Sequence, residues 1–568
     1  MHKHMSNLNM RKAKRNIIVV IIHDCISLAR IESRNFSTFF RKLPLSRSQM
    51  RNLKRLFFKI RENQNTATRL TSKMVLVDYF PILSWLACNA LVADVIRAKT
   101  GVQVCSFGFS NRNAHGSNLY NIFGIRKHLR IRLKFVDYIK VVKIYKKILC
   151  NLESGSSVID ITVEDVKIGI DIYESILRRG RPTVTLEDHE TYIQIFRGIK
   201  EFIYFQKKFE KKNIIAVMVS HDNYVGPGLL SRMSYKYGIP VILMNTFNLS
   251  ILSKPFQLYE RFSRIPEYFS AIPIDEQKLA RIWARDQLEA RISGEIGVGM
   301  PYQKESAFEF EKQVQQMQPT ERYKILVLTH DFYDNPHAYA RMTFNDFFEW
   351  LDFLGGVSSE TNYDWYIKPH RDHSKQEAAE IKKFISKYPN FRLVSADTSF
   401  HQLSEEGIDC ALTCHGSAGH ELPLLGIRVL NATHNPHVAY AFNDHARTKI
   451  EYRNIILELG KKPKVEIDRN KIYEFYYVYK RIMSPDDFVF KSFSHYEEFC
   501  NYDHQSVKSL EYISESLVDI RNNVISEFES AIKNRRVFST EKILSSNLQE
   551  KVPLTSGNHD LFHIFVAN

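Results

Sequence analysis

The sequence predicts an α/β protein with two doubly wound, Rossmann-like domains, an interdomain cleft and a helical C-terminal extension. Three observations support this fold class. The chain has 568 residues, more than one hydrophobic core ordinarily serves. Short apolar runs alternate with helical patterns in two separate series, as strands and crossover helices of parallel sheets do. Between the two series, at about 285–322, the chain becomes polar and carries Gly and Pro.

The first series of alternating elements lies in the N-terminal half. "KMVLVDYF" (73–80) and "VQVCSFGF" (102–109) are predicted strands, and the amphipathic helix between them ends at Gly101. "NIIAVMVSHDNY" (213–224) and "IPVILMN" (239–245) are strands joined by the helical segment "GLLSRMSYKYG". Strand, helix and strand with short links are typical of a parallel, doubly wound sheet.

The second series lies in the C-terminal half. Its predicted strands are "YKILVLTH" (323–330), "YDWYIKPH" (363–370), "FRLVSA" (391–396), "CALTCHG" (410–416) and "IRVLNA" (427–432). Helices are predicted around "FNDFFEWLDFL" and "SKQEAAEIKKFISKYP". Ligands of open parallel sheets bind beyond the carboxyl ends of the strands, so polar residues directly after these strands are the candidates for function.

The two series define the predicted domain organisation. We place an N-terminal Rossmann-like domain at 1–290, a linker at 291–322 and a C-terminal Rossmann-like domain at 323–470. From about residue 470 the sequence is helical and highly charged, so a helical extension is predicted at 471–568.

Composition and charge indicate a globular protein with an anionic partner. Apolar residues make up 44% and charged residues 25% of the chain. The formal net charge of +16 favours nucleotides, phosphorylated substrates, an anionic membrane surface or nucleic acid as partners. The sequence lacks zinc-finger spacing, RNP-like aromatic motifs and recognition-helix signatures, so nucleic acid is not an expected partner. A basic, solvated surface without any partner explains the charge equally well.

Cysteine usage and the N-terminal segment favour a cytoplasmic location. The seven cysteines are odd in number and scattered, as expected in a reducing compartment. In "MHKHMSNLNMRKAKRNIIVVIIHDCISLA", His23 and Asp24 interrupt the apolar stretch, which is too short to span a membrane and is not followed by a cleavage site. Residues 16–22 are predicted to form a buried strand.

Three strand ends of the second series carry candidate binding chemistry. They are "LTHDFYDNPH" (328–337), "YIKPHRDH" (366–373) and "CALTCHGSAGHELPLLG" (410–426). In the third, Gly416, Ala418 and Gly419 allow backbone amides to approach a bound group closely. A helix beginning at "HELPLLG" would direct unpaired N–H groups at a phosphate. The stretch therefore predicts a phosphate-binding turn.

Polar side chains at the same strand ends complete the candidate site. They are His330, Lys368, His370, His415, Ser417 and Glu421. Lys368 and the histidines can hold the phosphate oxygens and neutralise a leaving nucleotide. Each residue also has a structural interpretation: a lone histidine at a strand end, Ser417 as a helix N-cap, and Glu421 complementing a helix dipole. The coincidence of three such strand ends favours the functional interpretation.

A metal site and a serine hydrolase are the competing interpretations of this half. The chain has 21 histidines, but it contains no HExxH motif. The pairs His330/His337 and His370/His373 lack i,i+4 spacing on a helix. "HGSAGH" is not the GxSxG motif of hydrolases. We therefore expect neither a metal nor a cofactor.

In the N-terminal half, two segments are candidates for function. "VSHDNYVGPG" (219–228) places His221 and Asp222 after a strand, where either can remove a proton from an acceptor hydroxyl. Alternatively, Asp222 caps the following turn. "IRKHLRIRLKFVDYIKVVKIYKKIL" (125–149) is predicted to be a basic amphipathic helix. It either lies on an anionic inner-membrane surface or covers the sheet with its lysines in water.

Several of these motifs resemble one known family. In chain order, "KPH" at 368–370, His-x-Leu at 401–403 and "DCALTCHGSAGHELPLLG" at 409–426 resemble the nucleotide-binding half of bacterial capsule-polysaccharide glycosyltransferases. The resemblance is strongest to the capsular Kdo transferases and more distant to bacterial sialyltransferases. It covers roughly residues 323–445, while "SHDNY…GLLSRMSYKYGIPVI" resembles the acceptor domain loosely. The family has the GT-B architecture and uses CMP-activated acidic sugars.

The resemblance also implies roles for individual residues. His370 falls on the histidine of a Lys-Pro-His-Pro element, and Arg371 replaces its second proline. Ser417, or alternatively Thr413, falls on the serine of a turn of the form S-x-x-G-x-E. These side chains are expected to contact the nucleotide phosphate, with Glu421 near the donor. Here His-Glu follows Gly419 where the family has an aromatic residue before the glutamate.

The expected function is that of an inverting, metal-independent glycosyltransferase of GT-B type. It would move a sugar from a nucleotide-sugar donor to a growing surface polysaccharide or a lipid-linked acceptor, with Asp222, or else His221, as general base. The protein would be cytoplasmic or peripheral on the inner membrane. The sequence leaves three alternatives open: a nucleotide-sugar epimerase, a glycerophosphotransferase and a non-catalytic scaffold of polysaccharide assembly at the membrane.

Overall fold

Each predicted series of strands forms one six-stranded sheet, which confirms the predicted fold class. The structure, a computed structural model, describes residues 51, 72–79, 83–107, 120–121, 124–129, 131–244, 249–297, 306–309, 314–337, 339, 342–371, 373–463 and 466–483. The strand predicted at 16–22 and most of the extension predicted at 471–568 lie outside these residues.

The first sheet belongs to the N-terminal half. The strands of this half are β1 (Met74–Asp78), β2 (Gln103–Phe107), β3 (Lys127–Leu129), β4 (Thr162–Val163), β5 (Val166–Lys167), β6 (Ile214–Val219), β7 (Val241–Met244) and β8 (Leu249–Leu252). β4 and β5 pair with each other as a separate antiparallel hairpin. The other six form the sheet, in the order β3-β2-β1-β6-β7-β8, and only β7 and β8 pair antiparallel.

The second sheet repeats this topology in the C-terminal half. Its strands are β9 (Lys324–Leu328), β10 (Asp364–Lys368), β11 (Phe391–Leu393), β12 (Cys410–Thr413), β13 (Arg428–Asn431) and β14 (Asp444–His445). They lie in the order β11-β10-β9-β12-β13-β14 and all pair in parallel. Both sheets thus follow the 3-2-1-4-5-6 order of the Rossmann fold.

Helices connect the strands of both sheets. They are α1 (Leu83–Thr100), α2 (Phe135–Asn151), α3 (Gly169–Leu177), α4 (His189–Phe209), α5 (Leu229–Lys236), α6 (Gln257–Glu260), α7 (Ile265–Ser270), α8 (Ile274–Ile292), α9 (Phe347–Ser358), α10 (Lys375–Lys387), α11 (Phe400–Glu405), α12 (Ala418–Glu421), α13 (Lys449–Glu458) and α14 (Arg469–Tyr477). Gly101, with φ of +65°, follows the end of α1 as predicted, because glycine enters this left-handed region without strain.

Local sequence explains where many of these helices begin. A side-chain oxygen at the N-cap accepts a hydrogen bond from a backbone N–H of the first turn in α4, α9, α10, α11, α13 and α14. The capping residues are Asp188, Asp346, Ser374, Ser399, Thr448 and Asp468. Such caps satisfy donors that the helix itself leaves unpaired.

Three short strands at the sheet edges were not predicted from the sequence. β3, β8 and β14 have two to four residues each, too few for a clear alternation of apolar and polar side chains. For β3 this changes the interpretation of 125–149, which is not one continuous helix. Lys127–Leu129 pairs in parallel with β2, the side chains of His128 and Ser106 are hydrogen-bonded, and α2 begins only at Phe135.

The helix that precedes the predicted linker packs against the C-terminal end of the described chain. Ala280, Ala284 and Leu288 of α8 share a hydrophobic cluster with Phe475 and Tyr476 of α14. The chain therefore returns from the second sheet to cover α8. The boundaries at 290, 322 and 470 remain predictions.

Candidate functional site

The predicted site residues follow the strands at which each sheet changes direction. In the first sheet, successive strands are added outward from β1 on one side and from β6 on the other. In the second sheet, they are added outward from β9 and from β12 in the same way. This change of direction creates a crevice beyond the carboxyl ends of the two strands, where ligands bind in such folds. His221 and Asp222 follow β6, His330 follows β9, and His415 follows β12.

The phosphate-binding turn predicted in the second sheet is held by His330. The backbone N–H of Cys414 donates to His330 Nε2 at 3.1 Å, and Thr413 Oγ1 lies 3.1 Å from the same nitrogen. A Cβ at Gly416 would lie 3.2 Å from Thr413 Oγ1 and 3.6 Å from His330 Cε1. The lack of a side chain at Gly416 therefore lets the backbone of the turn lie close to these two residues.

His415, on the same turn, presents a buried polar atom without a partner. Among the described residues, no group forms a hydrogen bond with its Nε2, which is inaccessible to solvent. Its ring packs against the rings of Tyr339 and His330, with centroids 4.7 Å away in each case, and against Phe347 at 5.5 Å. Buried polar atoms are normally paired, so an unpaired one at a candidate binding turn indicates a place for a ligand atom.

Burial favours the neutral forms of His415, on the turn, and of His330, which contacts the turn. It lowers the pKa of His415 to about 4, although the negative charge of Asp334 opposes the shift. Burial, with the neighbouring imidazoles of His415 and His370, holds the pKa of His330 well below its usual value. Near pH 7 these side chains can offer hydrogen bonds but not positive charge. The expectation that they neutralise a leaving phosphate by charge does not fit this environment.

The neighbouring strand end contributes His370 but does not bring Lys368 to the turn. His370 is exposed, and it lies close enough to His330 to affect its pKa. Lys368 is buried, its Nζ donates to the carbonyl oxygen of Ala396 at 2.6 Å, and it lies 5.5 Å from the centre of the Phe400 ring. Burial lowers the pKa of Lys368 to about 8. The described contacts of Lys368 are thus with the segment after β11.

Glu421 fixes the turn through a buried ion pair and a hydrogen bond. Its carboxylate and the guanidinium of Arg291 are each 1% exposed, and Glu421 Oε1 lies 2.9 Å from Arg291 Nε. Ser417 Oγ donates to the other oxygen, Oε2, at 3.2 Å. Arg291 belongs to α8, so this buried ion pair ties the turn to the helix that precedes the predicted linker.

The segment after the turn is compact and does not form a long helix. α12 has four residues and continues as a 3₁₀ turn to Leu425, closed by Gly426 with φ of +77°. A Cβ at Gly419 would lie only 2.4 Å from Cε1 of the buried His437. Gly419 is therefore required for packing, whereas Gly416 lies at the face of the turn. The backbone N–H groups predicted to bind a phosphate therefore belong to a short turn and not to a long helix.

In the first sheet, hydrogen bonds fix the backbone that leads to His221. The backbone N–H and the hydroxyl of Ser220 donate to the two carboxylate oxygens of Asp78 at 3.0 and 3.1 Å. Asn89 Nδ2 donates to Ser220 Oγ at 2.9 Å. Burial raises the pKa of Asp78 to about 7, against the effect of the Ser220 hydrogen bonds. Asp78 ends β1, so the two central strands are joined at the point where His221 emerges.

His221 and Asp222 lie in different electrostatic environments. Burial lowers the pKa of His221 to about 4, and its ring lies 4.9 Å from that of Trp85. Burial raises the pKa of Asp222; Glu174 raises it further and the Arg232 guanidinium opposes the shift. Arg232 itself is paired with Asp171, with Nε and Oδ2 2.7 Å apart. The buried guanidinium of Arg232 thus interacts with three carboxylates, those of Asp171, Asp222 and Glu174.

Residues in and directly after α3 and in the loop after β9 join the two halves. The loop was predicted as a candidate binding segment, but this contact between the halves was not predicted. Arg178 Nη1 lies 3.5 Å from Asp334 Oδ1, and His337 Nδ1 lies 3.1 Å from Glu174 Oε1. The charge of Asp334 acts on both His221 and His415. His221 and His415 therefore both lie within electrostatic reach of one carboxylate. The available signal was the presence of charged residues in the otherwise apolar helix "GIDIYESIL".

Further features bear on metals and membranes. In the part of the chain that the structure describes, no group of three or more His, Cys, Asp or Glu side chains is arranged to hold a metal ion. The helices of the same part include none with the length and apolar character needed to cross a membrane.

Neither a protein-family model nor a curated protein sequence matches the chain. Solved structures with similar features include the KpsC β-Kdo 2,4-transferase of Thermosulfurimonas dismutans, at 9% identity and a TM-score of 0.28, covering 47% of this chain and 80% of the transferase. They also include UDP-GlcNAc 2-epimerase of Neisseria meningitidis bound to UDP-GlcNAc, at 12% identity and a TM-score of 0.22, covering 79% and 98%. An O-GlcNAc transferase mutant of Thermobaculum terrenum has 10% identity and a TM-score of 0.24, covering 92% and 82%. With values this low, the fold assignment rests on the topology of the two sheets.

Proposed function

We propose that the chain is a glycosyltransferase that binds a nucleotide-sugar donor at the second sheet and an acceptor at the first. One observation carries the proposal: the buried, unpaired Nε2 of His415 lies on a glycine-containing turn at the direction change of the second sheet. Across the crevice lie His221 and Asp222, which can serve as a base. A phosphate on one side and a proton acceptor on the other are what sugar transfer requires.

The proposed donor site uses neutral hydrogen-bond donors. Backbone N–H groups around Gly416, together with His415 and His370, would hold the donor phosphate. Ser417 or Thr413 would join them by turning its hydroxyl from Glu421 Oε2 or His330 Nε2 to the phosphate. Such fixed donors stabilise charge that develops on a leaving group in a site shielded from water. We place Glu421 and Gly419 behind the turn as positioning residues, because both are buried in contacts with the protein. A CMP-activated acidic sugar is the first donor to test, on the resemblance of the two motifs.

The proposed reaction is a direct, inverting displacement without a metal. The acceptor hydroxyl oxygen forms a bond with the anomeric carbon while the bond from that carbon to the donor phosphate oxygen breaks. The nucleotide leaves with the electron pair, and the hydroxyl proton passes to the base. We assign the base to Asp222, because burial raises its pKa and a carboxylate with a raised pKa accepts a proton more effectively. His221, whose pKa burial lowers to about 4, is the alternative base.

A panel of nucleotide sugars tests the proposal. Purified protein is incubated with CMP-, UDP- and GDP-sugars, with and without glycan or lipid-linked acceptors, and free nucleotide and product sugar are measured. Release of nucleotide only with an acceptor supports transfer. Conversion of the sugar without an acceptor indicates an epimerase, and transfer of glycerol phosphate indicates a glycerophosphotransferase. Binding without turnover indicates a scaffold. Each of the last three results overturns the proposal.

Nucleotide binding by variants tests the location of the donor site. We expect His415→Ala to weaken nucleotide binding about tenfold, the value of one good hydrogen bond. His189→Ala is the matched control, since His189 is exposed at the start of α4 in the other half. Equal nucleotide affinity of the two variants would show that the turn does not bind the donor. The assignment of an acceptor glycan, like the cytoplasmic location, is part of the same proposal.

A further inference from the structure

We propose that the segment from Arg126 to Lys147 forms a docking surface for an anionic phospholipid bilayer. This docking surface consists of exposed apolar side chains at the start of α2 and exposed basic side chains around them. The apolar members are Phe135, Val136 and Ile139. The basic members are Arg126, Lys127, Arg132, Lys134, Lys143, Lys146 and Lys147.

The apolar side chains are exposed to an extent that folding does not explain. Phe135 is 80% exposed, Val136 72% and Ile139 44%, all within five residues of chain. Asp137, Val141, Tyr145 and Leu149 are the residues that α2 buries. The exposed apolar residues lie on the opposite side of the helix from this buried stripe. Phe135 and Val136 therefore contribute little to packing in the described structure, and an exposed apolar cluster of this kind marks an interaction site.

The basic side chains surround these apolar residues on the outward face. Ile139, Lys143 and Lys146 are spaced at i, i+4 and i+7, so they share one face of α2. Within the described part of the chain, no acidic side chain forms an ion pair with Lys143, Lys146 or Lys147. Asp137, the one acidic residue of α2, is buried and paired with Lys207. Lys140 of the same helix pairs with Glu164, whereas Lys143, Lys146 and Lys147 present positive charge that no ion pair of the described residues compensates.

The combination of exposed aromatic and aliphatic side chains with lysines identifies the partner. An anionic bilayer attracts the basic groups and accepts apolar side chains below its headgroups. A nucleic acid would use the charge but would gain nothing from Val136 and Ile139. The docking surface covers one face of α2 and the segment before it, which suits an element that lies on a membrane.

The docking surface also lies at the same edge of the first sheet as the candidate base. β3 runs parallel to β1 through β2, and α2 begins after β3 ends. Phe135 is therefore at the carboxyl edge of the sheet, where His221 and Asp222 emerge. Docking of this edge would bring the first crevice to the membrane surface. A lipid-linked acceptor would then meet the base without leaving the bilayer; this consequence, unlike the docking itself, rests on the proposed function.

Vesicle sedimentation of the full chain tests docking independently of catalysis. Binding is measured with phosphatidylcholine vesicles and with mixed phosphatidylcholine–phosphatidylglycerol vesicles, at low and high salt. We expect binding to the mixed vesicles at least about tenfold stronger than to the neutral ones, and weaker at high salt. Phe135→Ser/Val136→Ser/Ile139→Ser and Lys143→Glu/Lys146→Glu/Lys147→Glu should each lower binding at least about tenfold.

A control removes a similar amount of exposed apolar surface elsewhere. Ile274 is 83% exposed, Leu279 65% and Val314 84%, and all three are distant in sequence from α2. Ile274→Ser/Leu279→Ser/Val314→Ser should bind mixed vesicles like the unmodified chain. Equal loss in this control and in the apolar α2 variant would overturn the proposal. So would binding of RNA that the lysine variant abolishes and the apolar variant leaves unchanged, without binding to vesicles. Far-UV circular dichroism of each variant establishes that it is folded.

Discussion

The two crevices have the same topology but different chemistry. At the first, β1 and β6 deliver a carboxylate, Asp222, whose pKa burial raises, beside Glu174 and Arg232. At the second, β9 and β12 deliver two imidazoles, His330 and His415, whose pKa values burial lowers. Burial disfavours the charged form in every case, so it makes the acid a better base and the histidines neutral hydrogen-bonding groups.

This difference indicates how two domains with the same strand order can carry different chemistry. The strand order fixes where side chains emerge, while the residues two or three positions after each strand decide what the crevice can do. In the first half we propose that these residues accept protons. In the second they line a turn that can accommodate a phosphate.

The largest effect is expected from removal of the proposed base. Asp222→Asn should lower kcat by about 10²- to 10⁴-fold, the usual contribution of a general base. Nucleotide affinity should stay unchanged, because Asp222 belongs to the opposite crevice. Steady-state kinetics and calorimetry measure the two quantities. His221→Gln is the comparison variant: if it abolishes turnover while Asp222→Asn retains it, the base is His221.

Loss of the anchor behind the second crevice should be the largest effect on stability. Glu421→Gln removes the carboxylate charge from a buried ion pair with Arg291, and loss of one member of such a pair typically costs about 3–5 kcal/mol. Urea unfolding measures the change. Glu458→Gln is the control, because its pair with Lys461 is largely exposed and should be worth less than about 1 kcal/mol. Similar values for both variants would exclude an anchoring role for Glu421.

Asp78 beside the first crevice and His415 of the second should respond to pH in opposite directions. Unfolded His415 gains a proton below about pH 6.5, whereas the folded residue does so near pH 4, so its contribution to stability is lost as pH falls between these values. Asp78 has a raised pKa of about 7, so its contribution is present below about pH 4 and is lost as pH rises to about 7.

Unfolding free energies of two variants across this pH range check the prediction. Relative to His415→Gln, the unmodified chain should lose stability as the pH falls from about 6.5 to 4. Relative to Asp78→Asn, it should lose stability as the pH rises from about 4 to 7. Parallel profiles for a variant and the unmodified chain would show that the residue titrates as it does in the unfolded state.

The smallest effect is expected where the two halves meet at the surface. Arg178 and Asp334 are 60% and 59% exposed, so Arg178→Ala should change the free energy of unfolding by less than about 1 kcal/mol. Glu174→Gln, which alters the buried contact with His337, should cost more. If both variants have the same stability, the buried contact does not hold the halves together.

The sequence was most informative where periodicity is strong. Every strand predicted between residues 73 and 432 forms, because parallel strands buried on both faces are nearly continuous apolar runs, such as Ile214–Val219. The edge strands were missed because two to four residues carry no clear pattern. The basic segment at 125–149 was misjudged for the same reason, since β3 interrupts it before α2 begins.

The candidate site divides in the same way. Histidines, glycines and acids after strands could be found from their order in the chain, which led to His221, Asp222, His330, His415 and Gly416. Their partners could not, because Glu421 meets Arg291 from 130 residues away and His415 packs against Tyr339 from a different strand end. Lys368 shows what position in the chain does not reveal. Its place at the end of a strand suggested a ligand contact, but its ammonium donates a hydrogen bond to the carbonyl oxygen of Ala396.

The two doubly wound sheets, and the side chains that emerge at their carboxyl ends, follow from the sequence, because strand and helix periodicity and short connections are local properties. Which of these side chains are neutral, which are held in ion pairs and which have an unpaired atom depends on the tertiary contacts. Burial and long-range contacts set pKa values and hydrogen bonding, and both depend on residues far apart in the chain. The glycine turn at 415–419 was thus visible in the sequence, but the unpaired nitrogen of His415 was not.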